Sequence, residues 1–218
     1  MPKLALAPEP AKLVSFQAWL VDLDGTLYRQ SWVRLAMAAN LLLGGRAAIP
    51  VLRAFRRAQE QLRYEHQEDC DDLFALQIRY TAERLGLETD QVQHLVQDWM
   101  IRRPGPWLRR FRRSGLLAEI QRFRDRGGKT ALVSDYPASE KLQALGAADL
   151  FDVVVASGEP GGPKRWKPAP DGYLIAAERL GADPGQCLVI GDRDDADGEA
   201  ARRAGMAFRR IGGRCARR

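Results

Sequence analysis

The chain has 218 residues, 45% of them hydrophobic, and a formal net charge of +6 carried mostly by arginine, which supplies 28 of the 34 basic side chains. That balance is enough for a buried core and excludes wholesale disorder. No uninterrupted apolar stretch reaches the about 18 residues of a membrane-spanning helix, and the arginine clusters come without a recognisable nucleic-acid module, so no nucleic-acid partner is expected.

Residues 1–14 are rich in Pro and Ala and lack a charged start followed by an apolar run, which reads as a flexible tail and not a signal peptide. Residues 18–21, Ala-Trp-Leu-Val, are a short apolar strand followed at once by Asp22-Leu23-Asp24-Gly25-Thr26. An apolar run ending in carboxylates and a glycine is the pattern of a central parallel strand that delivers side chains to its C-terminal edge.

From residue 31 to 113 the spacing turns helical. Trp32, Leu35, Ala36, Ala39, Leu42 and Leu43 form one apolar stripe, expected to face the protein interior. Pro50 opens a second helix with Leu52, Phe55 and Leu62 on one side. Asp71 and Asp72 cap a third that carries Leu73, Leu76 and Tyr80 and stops near Gly86. Thr89 caps a fourth with Val92, Leu95, Val96 and Trp99, broken by Pro104-Gly105-Pro106.

Beyond residue 113 helices and strands alternate: helix 116–126, strand 130–133, helix 138–145, strand 153–155, helix 171–180, strand 187–190, helix 197–204 and strand 207–211. Regular βα alternation points to a parallel α/β sheet with right-handed crossovers. The first strand and these later units form one Rossmann-like core, interrupted by an all-helical insertion. The expected division is a tail at 1–14, a core at 15–29 and 114–218, and a helical subdomain at 30–113.

Cys70, Cys187 and Cys215 are scattered and odd in number, so no disulfide framework or CxxC metal site is expected and a cytoplasmic setting is natural. His66 and His94 are the only histidines, so a histidine metal site or a Ser-His-Asp triad would have to draw on these two. Reactive groups instead cluster after the expected strands: Asp22 and Asp24, Ser134, Lys167 after a loop, and Asp192 with Asp194, Asp195 and Asp197.

In that order these residues resemble the motifs of the haloacid dehalogenase superfamily, phosphatase branch. Asp22-Leu23-Asp24-Gly25-Thr26-Leu27 is similar to its first motif, Ser134 to its second, Lys167-Pro168 to its third, and Gly191-Asp192-Arg193-Asp194-Asp195-Ala196-Asp197 to its fourth. The resemblance runs from about residue 17 to 212 and places the helical insertion where the family carries its C1-type cap. It implies a phosphatase of a small phosphorylated substrate. Asp22 is the implied nucleophile and Asp24 the acid/base, with Ser134 binding the phosphoryl group and Lys167 offsetting its charge. Mg²⁺ is implied on Asp22, the Asp24 backbone carbonyl and Asp192, with Asp197 as a supporting acid.

The physical chemistry agrees: a carboxylate attacks a charge-neutralised phosphorus in line, and clustered carboxylates with phosphate oxygens suit a hard octahedral cation. Asp24 argues against a haloacid dehalogenase, which needs no acid to expel halide; a phosphomutase is the nearest alternative, and a non-catalytic anion- or nucleic-acid-binding protein a more distant one. Asp135 stands where the family often has asparagine, and Lys164 competes with Lys167 but lacks the following proline.

The insertion also carries two arginine clusters, Arg46, Arg53, Arg56, Arg57 and Arg63, then Arg102, Arg103, Arg109, Arg110, Arg112 and Arg113. The expectation is solvated arginines beside an apolar stretch, 35–43, packed inside the cap. The alternatives are recognition of a strongly anionic substrate and contact with an anionic membrane surface.

Overall fold

A computed structural model of the chain describes residues 16–65 and 68–212. The expected tail at 1–14, His66 and Cys215 lie outside the described residues. Five parallel strands form one sheet in the order β3-β2-β1-β4-β5: β1 is Ala18–Asp22, β2 Lys129–Ser134, β3 Val153–Ala156, β4 Cys187–Gly191 and β5 Ala207–Arg210. The first strand in sequence is therefore central, flanked by β2 and β4.

Strand alternation divides the core into two layers. Trp19 and Val21 of β1 point to the side covered by α6 (Ser114–Asp125) and α7 (Ser139–Leu145), where Trp19 stacks on Phe123 with ring centroids 4.2 Å apart. Ala18 and Leu20 point to the other side, against Tyr173, Ala176, Ala177 and Leu180 of α8 (Asp171–Leu180) and Ala200 and Ala201 of α9 (Glu199–Arg203). Being apolar on both faces, β1 reads as a continuous hydrophobic run, the mark of a parallel strand covered on both sides.

Between β1 and β2 the chain is helical: α1 (Gln30–Gly44), α2 (Ile49–Glu65), α3 (Leu73–Leu85), α4 (Thr89–Val96) and α5 (Gly105–Arg110). Asp72 caps α3 by accepting from the Ala75 amide at 2.9 Å, and Gly86 ends it with φ +62°, as the residue types require. The chain continues past α4 as a π-helical turn, Gln97–Arg102, and only then breaks at Pro104, after which α5 starts.

The expected face of α1 is corrected. Val33 and Met37 are its buried residues, while Trp32, Leu35, Leu42 and Leu43 of the expected inward stripe are exposed. The period holds, but the helix carries apolar residues on two sides, and packing selected the other one. Trp99, in contrast, is buried as expected.

Candidate active site

Strand register determines which side chains meet at the C-terminal rim of the sheet. Asp22, the last residue of β1, lies level with Val133 of β2, so Ser134 stands one step further out. On the other flank Val21 is level with Ile190 of β4, which places Asp192 just beyond the strand end. Lys167 reaches the same point from the loop between β3 and α8. Its buried ammonium donates to Asp22 Oδ1 at 2.7 Å, to Asp197 Oδ1 at 2.8 Å and to the Val133 carbonyl at 3.0 Å.

The rest of the first carboxylate's shell is local. Asp22 Oδ2 accepts from the buried Thr26 hydroxyl at 2.9 Å. Asp197 also accepts from the Tyr173 hydroxyl at 2.9 Å and, through its other oxygen, from the Arg193 amide at 3.2 Å. Two glycines make room: a Cβ on Gly25, where φ is +99°, would sit 2.1 Å from Asp192 Oδ2, and one on Gly191 would sit 2.4 Å from Asp197 Oδ2.

Asp22, Asp192 and Asp197 each present one oxygen, all within 4.8 Å of one another. Burial, then the charge of Asp197, push the Asp22 carboxyl well above the usual range despite Lys167, and the same two influences raise Asp192. Burial alone would lower the Lys167 ammonium, but Asp197 and Asp22 outweigh it and hold Lys167 well above its ordinary value. Three carboxylates against one ammonium leave two negative charges in a largely buried space. A divalent cation with oxygen preference would balance them, so the donor set fits such an ion. The Asp24 carboxylate is not part of this cluster.

Asp24 is held differently. Both its oxygens accept from the Lys141 ammonium at 2.8 Å, and the Tyr28 hydroxyl donates to Oδ1. Burial works to raise this carboxyl, but Lys141 and Tyr28 together overcome it and hold Asp24 below the usual range. Burial, then the Asp24 charge, push the Tyr28 hydroxyl well up, which keeps it a donor. Neither Lys141 nor Tyr28 figures among the residues expected from the motifs. Lys141 is 4% exposed on α7, in the i+3 slot of the buried row Ala138, Leu142 and Leu145; a lysine interrupting an apolar stripe was the available signal.

Asp135, the departure from the family pattern, joins the sheet edge to the helical segment. It accepts from the Lys167 amide at 3.2 Å and from Arg63 of α2 at 3.2 Å. Burial raises its carboxyl, with Lys167 and Arg63 opposing. Beside it the Tyr136 hydroxyl donates to Gln59 Oε1 at 2.6 Å, and Tyr136 N–H donates to Ser134 Oγ at 3.2 Å.

These groups line one cavity of about 370 Å³, to which the sheet edge contributes Asp22, Asp24, Ser134, Lys167 and Asp192, and the helical segment Val33, Met37, Leu41, Leu52 and Trp99. Other sequence candidates fall elsewhere. Asp194 pairs with Arg202 at 3.2 Å and Asp195 with Arg193 at 2.6 Å, both in exposed surroundings. Lys164 faces Asp71 at 3.8 Å on the surface, and His94 is exposed on α4.

Comparison with known proteins gives a match to the family model of haloacid dehalogenase-like hydrolases over residues 16–205. The fructose-1-phosphate phosphatase YqaB of Escherichia coli is 45% identical over 69 residues, a stretch of 32% of this chain and 35% of that protein. The glyceraldehyde 3-phosphate phosphatase of Methanopyrus kandleri is 29% identical over 210 residues, covering 89% of this chain and 83% of that one. Among solved structures, the HAD-hydrolase YfnB of Bacillus subtilis bound to magnesium shares the fold with a TM-score of 0.61 at 14% identity, over 93% of this chain and 90% of that one.

Proposed function

The chain belongs to the haloacid dehalogenase-like hydrolases, and we propose that it is a Mg²⁺-dependent phosphatase that cleaves the phosphate monoester of a small metabolite by way of an aspartyl-phosphate on Asp22. The observation that carries the proposal is the pairing of Asp22 with Lys167 at 2.7 Å inside a cavity that also holds Ser134, Asp24 and Asp192. The two phosphatases it resembles, named for small phosphorylated substrates, support the substrate class.

In this reading an Asp22 oxygen attacks phosphorus in line, the ester P–O bond breaks, and Asp24 gives its proton to the departing oxygen. Water then attacks the same phosphorus while Asp24 takes its proton, the P–O bond to Asp22 breaks, and phosphate leaves. Lys167 offsets charge on Asp22 and the transferring group, and the Ser134 hydroxyl donates to a phosphoryl oxygen. Lys141 holds Asp24 in the ionised form that accepts a proton. The doubly charged phosphate of an arriving substrate raises the Asp24 carboxyl by like-charge repulsion, towards the form that a leaving-group acid needs.

Asp22, Asp192 and the Asp24 carbonyl would hold Mg²⁺; Asp197, with both oxygens engaged by Lys167, Tyr173 and the Arg193 amide, fits the orienting acid. Bound there, Mg²⁺ would supply positive charge to the phosphoryl oxygens during transfer. Residues 30–113 act as a C1-type cap over the α/β core that flanks them in sequence, and the scattered cysteines favour a cytoplasmic setting. The test is a panel of phosphorylated metabolites assayed with Mg²⁺, scoring free phosphate against isomerised product. Release of phosphate is expected; isomerised product in its place moves the assignment to a phosphomutase, and no metal-dependent turnover on any member overturns it.

A further inference from the structure

Four of the six exposed large hydrophobic side chains among the described residues lie on one helix: Trp32, Leu35, Leu42 and Leu43 of α1, exposed by 52%, 63%, 58% and 88%. Scattered singly, such residues need no explanation, but a contiguous ridge does. At roughly 100° per residue all four fall within about a third of the helix circumference. Val33, Met37 and Leu41, which line the cavity, fall on roughly the opposite side. The ridge is therefore not the back of the active site; it is a separate outward surface. At its N-terminal end Trp32 stacks on Phe111, and Phe111 on Trp107, with centroids 6.0 and 6.3 Å apart, so the aromatic surface continues onto α5.

The sequence on and next to this ridge is predominantly basic. Residues 25–59 contain six arginines and no aspartate or glutamate, and residues 99–118 repeat that count, although Arg102 and Arg103 pair with Glu140 and Asp98. Arg29 and Arg46, which flank α1, are exposed, and among the described residues no carboxylate forms an ion pair with them; Arg34 lies on the cavity side of the helix. Arg110 lies over the Phe111 ring at 5.7 Å. An apolar ridge with tryptophan and leucine, flanked by arginines and free of acids, is the chemistry of a helix that lies in the plane of an anionic bilayer.

We propose that α1 docks this protein on an anionic lipid surface, with Trp32, Leu35, Leu42 and Leu43 entering the headgroup boundary and the flanking arginines meeting lipid phosphates. By itself α1 is too short to span: it has 15 residues, about 22 Å of helix against the roughly 30 Å of a bilayer core, and no single helix among the described residues is long and apolar enough to cross. α1 and α2 reach that length only as a pair bent by 115°, and α2 buries Val51, Leu52, Phe55 and Leu62 within the protein. A second copy fits poorly, because a two-fold contact through the ridge sets arginine beside arginine without an acid to pair. A soluble polyanion would use the arginines and leave the leucines idle. The docking requires no catalysis and does not rest on the proposed activity.

The test uses the full chain in co-sedimentation with vesicles of phosphatidylcholine alone or mixed with phosphatidylglycerol. Binding to the anionic vesicles, weak binding to the neutral ones, and loss of binding as salt rises are expected. L42E/L43E should lower partitioning about a hundredfold, and R29Q/R46Q about tenfold. Circular dichroism and hydrolysis of a small soluble phosphate should stay at wild-type level in both variants. The proposal fails if wild-type protein does not bind anionic vesicles, if it binds neutral vesicles equally well, or if L42E/L43E binds as wild type does. It also fails if light scattering shows a dimer that L42E/L43E dissolves while vesicle binding is absent, which would give the ridge to a second copy.

Discussion

Lys167 reaches the rim of the sheet from a loop and pairs with two carboxylates, Asp22 and Asp197, whereas Lys141 rises from α7 and, among the described residues, pairs with one, Asp24. Both lysines are buried and their carboxylate contacts are 2.7 to 2.8 Å, yet Asp22 and Asp24 move in opposite directions. Around Lys167 burial and an excess of negative charge push Asp22 up; around Lys141 the one-to-one pairing with Tyr28 assisting brings Asp24 down. Two aspartates two residues apart on one backbone thus stand in environments suited to different work. One half of the site has negative charge to spare for a cation and a phosphoryl group, and the other is internally neutral. Environments that separate two titratable groups in this way are the physical basis for giving them separate roles.

The largest effect that would sharpen this contrast is expected at Asp22. Asp22→Asn should cost at least about 10⁴-fold in kcat on an aryl phosphate, with the circular dichroism spectrum unchanged; substantial remaining turnover removes the covalent route. Asp24→Asn should fall next: its phosphorylation step should slow by about 10³-fold on esters with poor leaving groups and clearly less on activated aryl phosphates, which need little protonation. Equal losses on both at the phosphorylation step would contradict the acid role.

The cation side should respond to metal and to pH. Chelation should silence the enzyme, Mg²⁺ restore it, and Ca²⁺ substitute poorly because it relaxes octahedral geometry. Because Asp22 and Asp192 are both raised, protons compete with the cation from higher pH than for ordinary carboxylates, so the Mg²⁺ needed for half-activation should increase as pH falls. Asp192→Asn should raise that requirement about a hundredfold. Full activity in excess chelator would sink the cation assignment.

The smallest effect belongs to the neutral side. Lys141→Met removes the charge that lowers Asp24, so the Asp24 carboxyl rises; for hydrolysis of the aspartyl-phosphate, where ionised Asp24 takes the proton of water, the acidic limb of the pH–rate profile should move to higher pH, with a loss of about tenfold in that step near neutrality. Lys141→Arg should recover part of that shift, which a purely structural lysine would not do. An unmoved acidic limb in Lys141→Met would show that Lys141 does not tune Asp24.

The sheet side of this contrast was legible in the sequence and the helical side much less so. Asp22, Ser134 and Asp192 follow apolar runs directly, and a buried parallel strand leaves its reactive groups no exit but the C-terminal edge. Lys167 and Asp197 came from the spacing of the family motifs. Lys141 did not, because a lone lysine on an expected helix reads as solvated, although its slot between Ala138 and Leu142 belongs to the buried row. Tyr28 was hidden for a related reason: it follows the Asp22–Leu27 motif without being part of it. On α1 periodicity found the helix but not its inner face, since Val33, Met37 and Leu41 and the outward Trp32, Leu35 and Leu42 both satisfy a helical period. Asp135 required the fold itself, because its partner Arg63 lies 72 residues away.

Covalent attack by Asp22 is tested most directly by trapping. Asp24→Asn protein mixed with an activated aryl phosphate and Mg²⁺ can still be phosphorylated, because the leaving group needs no acid, but lacks the base that hydrolyses the intermediate. Acid quenching and peptide mass spectrometry should then find one phosphoryl group, on the peptide holding residues 18–27 and on Asp22 within it. Release of the aryl alcohol with no phosphorylated peptide, or with the phosphoryl group on another residue, would contradict the mechanism.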